Sequence, residues 1–377
     1  MKKILTKSLK TINYIIAKSR VEKGLILDND SKYHNATNSY EEINCFTRFF
    51  NYTKNIRIPA RVLFGYGGRI KRLNHMLSGE TISFITDAKD LTFEILYRDT
   101  ISPSNMSLAG ACGIDVYLIE NNEYLWRDNI CPTKTYEMHV TKTIQLPLGE
   151  KKIILYLPSY ASIDTFKVRI KRGTSIKKFE DNSSNGTLLL YGSSITQGCA
   201  ASRPGLTYAN ILGRELNLKV ENYGYSESAL GQESIIQFIA NRHADIYVLE
   251  YDHNASLITL RENYFWVYST IRNSNKKSLI ILMSRFSGGL SISLEEERKR
   301  NQIISETYEA GINSGDKRLI YINGTDMIQN KDAYFSDDRH PNDMGMNYIA
   351  NVIAKRVRPY LASENEYDDE IDKENHT

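Results

Sequence analysis

The chain has 377 residues, of which 41% are hydrophobic and 25% are charged, and this length and balance predict a globular protein of two or three domains. The composition excludes a mostly disordered chain, a collagen-like fibre and a polytopic membrane protein. Because 48 Lys and Arg face 45 Asp and Glu, the net charge of +3 is too small to indicate a nucleic-acid partner.

The two ends of the chain carry opposite charges. The first 23 residues contain several Lys and Arg but a single acidic residue, Glu22. Apolar residues recur at helical spacing from Ile4 to Ile16, which predicts an amphipathic helix within an N-terminal extension, residues 1–40. We expect it to pack on the protein itself, with a membrane surface as the alternative. Residues 362–377 are acidic and are predicted to form a flexible tail, with a charge contact between the ends as the alternative.

Signals for export, membrane insertion and metal binding are missing from the sequence. Lys7 and Lys10 interrupt the apolar residues near the N-terminus and no small-residue cleavage site follows, so a cytoplasmic location is expected. No run approaches the ~20 apolar residues of a membrane span. The cysteines are too widely spaced for a disulfide framework or a zinc motif, so no metal site is expected, and the serine-based mechanism considered below needs no cofactor. They are Cys45, Cys112, Cys131 and Cys199, the last of which is interpreted as a packing residue.

Short strands separated by turn residues characterise residues 41–180. They predict a β-sandwich domain, since regularly spaced short strands with turn signals are typical of that fold. The predicted strands are Arg61–Phe64, Thr81–Thr86, Leu91–Tyr97, Ile114–Ile119, Lys152–Leu157 and Phe166–Ile170. The polar, turn-rich segment Glu180–Gly186 then marks a domain boundary.

Strands alternate with helices in the second domain, residues 186–361. The predicted strands are Thr187–Tyr191, Leu218–Asn222, Asp245–Tyr251, Ser278–Met283 and Leu319–Ile322. The predicted helices are Tyr208–Leu216, Glu233–Arg242, Leu260–Arg272, Leu294–Ala310 and Asp343–Tyr360. This alternation predicts a five-stranded parallel sheet with helices on both faces. Ligands bind at the carboxyl ends of such strands, so reactive residues are expected directly after strands.

Two segments carry most of the chemical signal. The first strand ends in Gly192-Ser193-Ser194, where a sharp turn would expose a serine at the mouth of the sheet. Near the C-terminus, Asp337 stands three residues before His340 and can accept a hydrogen bond from it, as a serine–histidine base requires. The alternatives are a plain strand-to-helix loop and a structural His–Asp pair.

Two further loops follow strands and can supply hydrogen-bond donors to the same mouth. Asn222–Ser228 offers a backbone N–H, and Tyr251–Ala255 offers the amide of Asn254. Acyl transfer needs donors directed at the oxygen that becomes negative. Each loop taken alone is also consistent with an ordinary polar connection.

Together these four segments resemble the SGNH (GDSL-type) hydrolase superfamily over residues 186–360. The resemblance implies a flavodoxin-like three-layer α/β domain with Ser194 as nucleophile, His340 as base and Asp337 as the acid that orients it. Ser193 stands where the family usually has a supporting aspartate. The Asp-x-x-His-Pro block matches in full, ending at Pro341.

The resemblance also implies an oxyanion hole made by the backbone N–H groups of Ser194 and Glu227 and by the Asn254 amide. Glu227 replaces the family's glycine, and Asp252 and Ala255 also depart from the family pattern. We expect the Glu227 side chain to point away from the oxyanion. It would then bind the substrate, pair with an arginine such as Arg203 or Arg339, or face solvent.

The N-terminal domain adds a second resemblance. Gly113-Ile114-Asp115-Val116-Tyr117 is similar to the Gly-x-Asp-Leu-Tyr signature of a β-sandwich module that precedes some SGNH esterases. That module implies a jelly-roll-like sandwich that helps to hold a carbohydrate or another acylated substrate. From the residues alone, Asp115 and Tyr117 are interpreted as organising a turn and a strand.

The combined interpretation is an SGNH-type serine esterase that removes a small acyl group, most simply acetyl, from a carbohydrate. One alternative is an acyltransferase that uses the same triad. The other is a non-catalytic carbohydrate-binding or scaffold protein on a decayed hydrolase fold. The sequence gives no basis for an oligomeric state.

Overall fold

The computed structural model describes residues 2–23, 25–27, 33–35, 39–49, 56–179, 185–286, 292–328 and 331–374. The chain divides into two compact units. The first comprises Met1–Pro59, Lys71–Asn182 and Ala201–Gly205, and the second comprises Ala60–Ile70, Ser183–Ala200 and Leu206–Thr377. Residues 60–70 therefore belong to the second unit, although the residues on both sides of them belong to the first. Residues 201–205 belong to the first unit, although their neighbours belong to the second. The sequence predicted neither exchange.

Two antiparallel sheets form the β-sandwich of the first unit. The helices up to this point in the chain are α1 (Lys2–Glu22), α2 (Cys45–Phe49), α3 (Gly68–Leu73) and α4 (Leu108–Cys112). The strands are β1 (Leu25–Leu27), β2 (Tyr33–Asn35), β3 (Tyr40–Asn44), β4 (Thr81–Thr86), β5 (Asp90–Thr100), β6 (Ile114–Glu120), β7 (Glu123–Ile130), β8 (His139–Gln145), β9 (Lys151–Tyr156), β10 (Ala161–Lys171) and β11 (Ile176–Lys178). The strand orders are β3-β10-β5-β8 and β11-β4-β9-β6-β7, beside a separate β1-β2 pair. The predicted sandwich is confirmed.

Aromatic side chains from both sheets fill the sandwich. Phe84 of β4, Phe93 of β5 and Phe166 of β10 are fully buried, and the ring centroids of the last two lie 6.0 Å apart. Each such side chain stabilises the fold by about 1.5–3 kcal/mol through burial of apolar area. The alternation of buried and half-buried residues along β4 thus follows from the pleat of a strand with one face on the core.

One predicted strand, Arg61–Phe64, is wrong. Residues Ala60–Leu63 form a single turn of 3-10 helix. The segment is bracketed by Pro59 and by Gly65, whose φ is +85°, a left-handed conformation that glycine adopts without strain. These two residues bound the segment, whose backbone turns instead of pairing with a strand.

The predicted N-terminal helix is α1, and it packs on the sandwich unit as expected, but through its polar residues. Lys10 Nζ donates to the Thr100 hydroxyl at 2.6 Å, and the Tyr14 hydroxyl donates to Asp164 at 3.2 Å. Four apolar side chains on the helix are instead 40–59% exposed. They are Leu9, Ile12, Ile15 and Ile16. Helical periodicity therefore located the helix but not the face by which it packs.

A five-stranded parallel sheet forms the core of the second unit. Its strands are β12 (Thr187–Gly192), β13 (Lys219–Gly224), β14 (Ile246–Glu250), β15 (Leu279–Met283) and β16 (Leu319–Ile322). Its helices are α5 (Ser194–Gln197), α6 (Tyr208–Leu216), α7 (Glu233–Ala240), α8 (Leu257–Ser274), α9 (Leu294–Asn313), α10 (Gly324–Met327), α11 (Lys331–Tyr334) and α12 (Asp343–Glu374). All neighbouring strands pair in parallel in the order β13-β12-β14-β15-β16. This is the predicted flavodoxin-like fold.

The strand order explains where a site can form. β12 lies between β13 and β14. The chain runs from β12 to β13 on one side and then back past β12 to β14 on the other, so a crevice opens at the carboxyl end of β12. Leu188, Leu189 and Leu190 of β12 are fully buried, as a strand covered on both faces requires. The first polar residues that this strand can present are those that directly follow it.

The acidic end of the chain continues the last helix, and its flexibility stays a prediction. Helix α12 continues as far as Glu374, and residues 375–377 lie outside the described residues. A helix that has already nucleated extends at little cost, and glutamate is a good helix former.

Within the described ranges, every helix is too short or too polar to span a membrane.

Candidate active site

Ser194 is held by a tight turn between β12 and α5. Ser193 is the N-cap of α5, and its hydroxyl accepts a hydrogen bond from the Ile195 N–H at 3.1 Å. A Cβ at Gly192 would lie 2.1 Å from the Thr196 hydroxyl oxygen, so no other residue fits there without a shift. Ser194, which is 8% exposed, begins the helix at the carboxyl end of the central strand.

The structure brings Ser194, His340 and Asp337 together in the predicted order. Ser194 Oγ lies 2.9 Å from His340 Nε2. His340 Nδ1 lies 2.9 Å from Asp337 Oδ2 and 3.0 Å from Oδ1. Asp337 Oδ1 also accepts the backbone N–H groups of Arg339 at 2.8 Å and His340 at 2.7 Å. The Asp337 carboxylate thus holds its own loop by backbone hydrogen bonds and contacts Nδ1 of His340, while Nε2 faces Ser194.

The pKa values of Asp337 and His340 are both shifted by their surroundings. Burial raises the pKa of Asp337, but hydrogen bonds from the backbone of Arg339 and from His340 outweigh it and lower that pKa to about 2. Burial lowers the pKa of His340, but hydrogen bonds with Cys199 and Asp337 outweigh it and raise that pKa to about 9. Cys199, interpreted from sequence as a packing residue, is indeed buried but also contacts the imidazole. Among the described residues, no three His, Cys, Asp or Glu side chains gather as a metal site requires.

The loop after β13 interlocks with α5. A Cβ at Gly224 would lie 2.2 Å from the Gln197 backbone nitrogen, so this close approach requires glycine. The Asn222 amide donates to the Thr196 carbonyl at 2.6 Å, and the Ser226 N–H donates to the Gln197 side chain at 2.8 Å. The second loop therefore takes its position directly from the helix that carries Ser194.

Glu227 adopts a backbone conformation that is typical of glycine. Its φ is +55°, in the left-handed region that favours glycine. Its carboxylate is 71% exposed and lies 2.9 Å from the Arg69 guanidinium. The suggested partners Arg203 and Arg339 were wrong, since Arg203 pairs with Asp115 in the first unit at 3.3 Å and Arg339 pairs with its sequence neighbour.

The loop after β14 is clamped by a buried ion pair. Arg300, on α9, donates to Asp252 Oδ1 and to the Ala255 carbonyl, both at 2.9 Å. Both charged side chains are almost fully buried. The Asn254 amide donates one hydrogen bond to the Tyr225 carbonyl at 2.8 Å, and a primary amide has a second N–H for another acceptor. Asn254 thereby joins the second and third loops of the site.

Sequence reasoning missed one buried carboxylate at the site. Glu250 is the last residue of β14 and is 1% exposed. It accepts hydrogen bonds from the hydroxyls of Ser193 and Thr196. The signal in the sequence was an acidic residue that ends an otherwise apolar strand, Ile246–Glu250, because buried acidic residues are rare unless they are paired.

Two family descriptions match the chain. The GDSL-like lipase/acylhydrolase family matches residues 185–358, which contain all four loops described above. The GxDLY family, described as the N-terminus of SGNH-hydrolase-type esterases, matches residues 31–176. No curated protein matches the chain.

Solved structures share the fold over most of the chain. A Bacteroides ovatus protein described as a GDSL-like lipase is 20% identical, with a TM-score of 0.78 over 86% of this chain and 98% of its own. The salicylyl-acyltransferase SsfX3 from a tetracycline biosynthetic pathway is 18% identical, with a TM-score of 0.66 over 88% and 96%. A Clostridium thermocellum family two carbohydrate esterase, solved with cellohexaose, is 13% identical, with a TM-score of 0.55 over 76% and 94%.

Proposed function

We propose that this chain is a serine esterase acting on a short acyl ester, an acetyl group on a carbohydrate. Its residues 185–358 match the GDSL-like lipase/acylhydrolase family, and residues 31–176 ahead of them match the GxDLY domain of SGNH-type esterases. The observation that carries the proposal is the relay from Ser194 through His340 to Asp337, with both links at about hydrogen-bond length. A serine, a base and an acid at these distances constitute an activated nucleophile.

In the proposed reaction, Ser194 Oγ attacks the ester carbonyl while His340 Nε2 takes its proton. Asp337 holds the imidazole by Nδ1 and stabilises the imidazolium that forms. His340 then protonates the departing alcohol, which leaves an acyl-enzyme. Water, deprotonated by the same imidazole, releases the acid and restores Ser194.

The oxyanion of each tetrahedral intermediate would be held by the backbone N–H groups of Ser194 and Glu227 and by the Asn254 amide. The first N–H stands at the start of α5, and the second belongs to a residue in the left-handed conformation. The amide is oriented by its bond to the Tyr225 carbonyl. One such donor contributes about 10²–10³-fold to the rate.

The carbohydrate part of the proposal is supported by several structures of the same fold that are carbohydrate esterases. The test is acetate release from acetylated xylo- and cello-oligosaccharides, compared with p-nitrophenyl acetate and with the Ser194→Ala variant as blank. We expect a higher kcat/KM on acetylated sugars. Turnover of the activated ester alone would refute the sugar, and turnover of neither by folded protein would refute the esterase.

Acyl transfer is the second candidate, favoured by the fold match to a salicylyl-acyltransferase over 88% of this chain. The two reactions share the acyl-enzyme and differ in what resolves it. The assay above, repeated with a sugar alcohol or an amine as acceptor, separates them by the ratio of transferred to hydrolysed acyl group. If the ratio of transferred to hydrolysed acyl group exceeds the molar ratio of acceptor to water, the protein is a transferase.

Replacing Glu227 with Gly is expected to change kcat/KM on p-nitrophenyl acetate by less than roughly tenfold, because the backbone N–H remains and the oxyanion donors are kept. Glycine also tolerates the φ of +55° without strain. The matched control is Glu227→Gln, which keeps the side chain but removes the ion pair with Arg69. A loss of about 10²–10³-fold in the Gly variant would show that the side chain itself shapes the oxyanion hole.

A further inference from the structure

We infer that Glu250 is a positioning residue of this active site, and that its carboxylate replaces the aspartate that the first SGNH block usually carries at the position of Ser193. It acts from the neighbouring strand and fixes the residues on both sides of the nucleophile. The inference rests on the proposed esterase function, which the test below examines separately.

The contacts of Glu250 converge on the turn that presents Ser194. Both carboxylate oxygens lie 2.9 Å from the Ser193 hydroxyl. Oε2 also accepts the Ser193 N–H at 3.1 Å and the Thr196 hydroxyl at 2.7 Å. Ser193 and Thr196 are fully buried and Glu250 is 1% exposed. One buried carboxylate therefore accepts three donors from residues that flank the nucleophile.

This arrangement fixes the direction of the Ser194 side chain. The Ser193 hydroxyl donates to Glu250 and accepts the Ile195 N–H, so the cap of α5 is itself oriented by the carboxylate. Because α5 has only four residues, it contributes little stability of its own and depends on such contacts. A displacement of about 1 Å in a reacting group costs about 10²-fold in rate.

The titratable groups that face Glu250 are His253, Tyr208 and Tyr264. His253 Nε2 lies 4.0 Å from Oε1, and burial lowers the pKa of that imidazole well below its usual value. The Tyr208 hydroxyl lies 2.7 Å from the Thr196 hydroxyl. Burial raises the pKa of Tyr208 and of Tyr264, and the Glu250 carboxylate adds a smaller contribution to each. Burial raises the pKa of Glu250 to about 7, against hydrogen bonds from Thr196 and Ser193 that lower it.

A purely structural role predicts a different outcome from a positioning role. A carboxyl group whose folded pKa exceeds its unfolded value loses stabilising free energy as pH rises between the two, here from about 4.5 to about 7. At pH 8 the ionised carboxylate therefore stabilises the fold less than the protonated form would. Neutral Gln of the same size should not lower Tm at that pH. A fall in kcat without a fall in Tm would separate positioning from folding.

The first experiment compares Glu250→Gln and Glu250→Asp with Glu221→Gln. Glu221 is a control on β13, on the other side of β12, and its carboxylate pairs with Arg242. On p-nitrophenyl acetate at pH 8, Glu250→Gln should lower kcat about 10²-fold with KM nearly unchanged and Tm not lowered. Glu250→Asp should keep more activity than Glu250→Gln because it keeps the charge. Glu221→Gln should retain wild-type kcat.

The pH profile gives a readout that a structural role would not move. In the wild type, both neutral His340 and ionised Glu250 are needed, so log kcat/KM should rise with a slope of about two below pH ~7 and about one between ~7 and ~9. Glu250→Gln should show a slope of about one throughout. An identical double slope in that variant would overturn the inference.

Moving the carboxylate to the family's usual position is the most demanding test. Ser193→Asp alone places a second carboxylate against Glu250 and should lower kcat by more than about 10²-fold, since two adjacent carboxylates cannot both ionise. Combining Ser193→Asp with Glu250→Gln leaves one carboxylate and should recover at least tenfold over the worse single variant. Additive losses in the double variant would contradict the inference, even if Glu250→Gln alone folded poorly.

The two hypotheses fail in different ways. If Ser194→Ala abolishes activity while Glu250→Gln keeps wild-type kcat, the esterase stands and the role of Glu250 is refuted. If Ser194→Ala keeps wild-type activity, the proposed function itself is refuted.

Discussion

Replacing Ser194 with Ala is expected to lower kcat on a short activated ester by about 10⁶-fold, the loss typical when the nucleophile of a serine triad is deleted. Ser194 Oγ lies 2.9 Å from His340 Nε2, and no other atom of the relay can bond to the acyl carbon in the proposed mechanism. Because only one oxygen is removed from a residue that is 8% exposed, Tm should change little. Steady-state hydrolysis of p-nitrophenyl acetate measures the effect.

The matched control is Ser202→Ala, an exposed serine eight residues further along, which should keep wild-type kcat. A fluorophosphonate probe should add its mass to the peptide that contains Ser194 in the wild type and in Ser202→Ala, but not in Ser194→Ala. Full turnover by folded Ser194→Ala would exclude covalent catalysis by this serine and refute the proposed mechanism.

The parallel sheet and the relay could be predicted because their signals are local. Strand β12 is a continuous apolar run, since it is covered on both faces. Asp337 and His340 are three residues apart in one turn, so their contact follows from the chain's own geometry. Ser194 directly follows a strand end, and parallel strands present such residues at one edge of the sheet.

The supporting contacts could not be predicted because their partners are distant in sequence. Glu250 reaches Ser193 from the neighbouring strand, and Glu227 pairs with Arg69, which lies in a segment assigned from sequence to the other domain. Nothing in a linear pattern selects one arginine among many as the partner of an exposed carboxylate. Loop geometry decides that choice, and it depends on the folded backbone.

Strands at the edges of the sandwich sheets were not predicted from the sequence, for a related reason. Strand β7 is mostly exposed and shows no alternation of buried and exposed residues, so it lacks the period-two signal of a strand with one face on the core. Helix α1 shows the opposite case, because its clear apolar periodicity is real but its polar residues make the contacts. Periodicity identifies an element, whereas packing partners decide which face is buried.

Replacing His340 with Ala is expected to cost about as much as Ser194→Ala, about 10⁶-fold in kcat, and Asp337→Asn is expected to cost less, about 10⁴-fold. His340 is the proposed base, whereas Asp337 only orients it and stabilises its charged form. The asparagine can also present its N–H₂ to Nδ1 and favour the wrong tautomer. Both losses are measured on p-nitrophenyl acetate at the pH optimum of each variant.

The pH dependence of kcat/KM tests the direction in which Asp337 shifts the pKa of His340. Only neutral His340 can accept the serine proton, so wild-type kcat/KM should rise with pH through the raised pKa of about 9. Asp337, with a pKa of about 2, is an anion throughout and favours the imidazolium. Removing that anion in Asp337→Asn should lower the pKa of His340 and move the ascending limb to lower pH. Asp338→Asn, whose carboxylate contacts Arg339 instead, should leave the limb in place. An unmoved limb in Asp337→Asn would mean that this aspartate does not set the charge of the base.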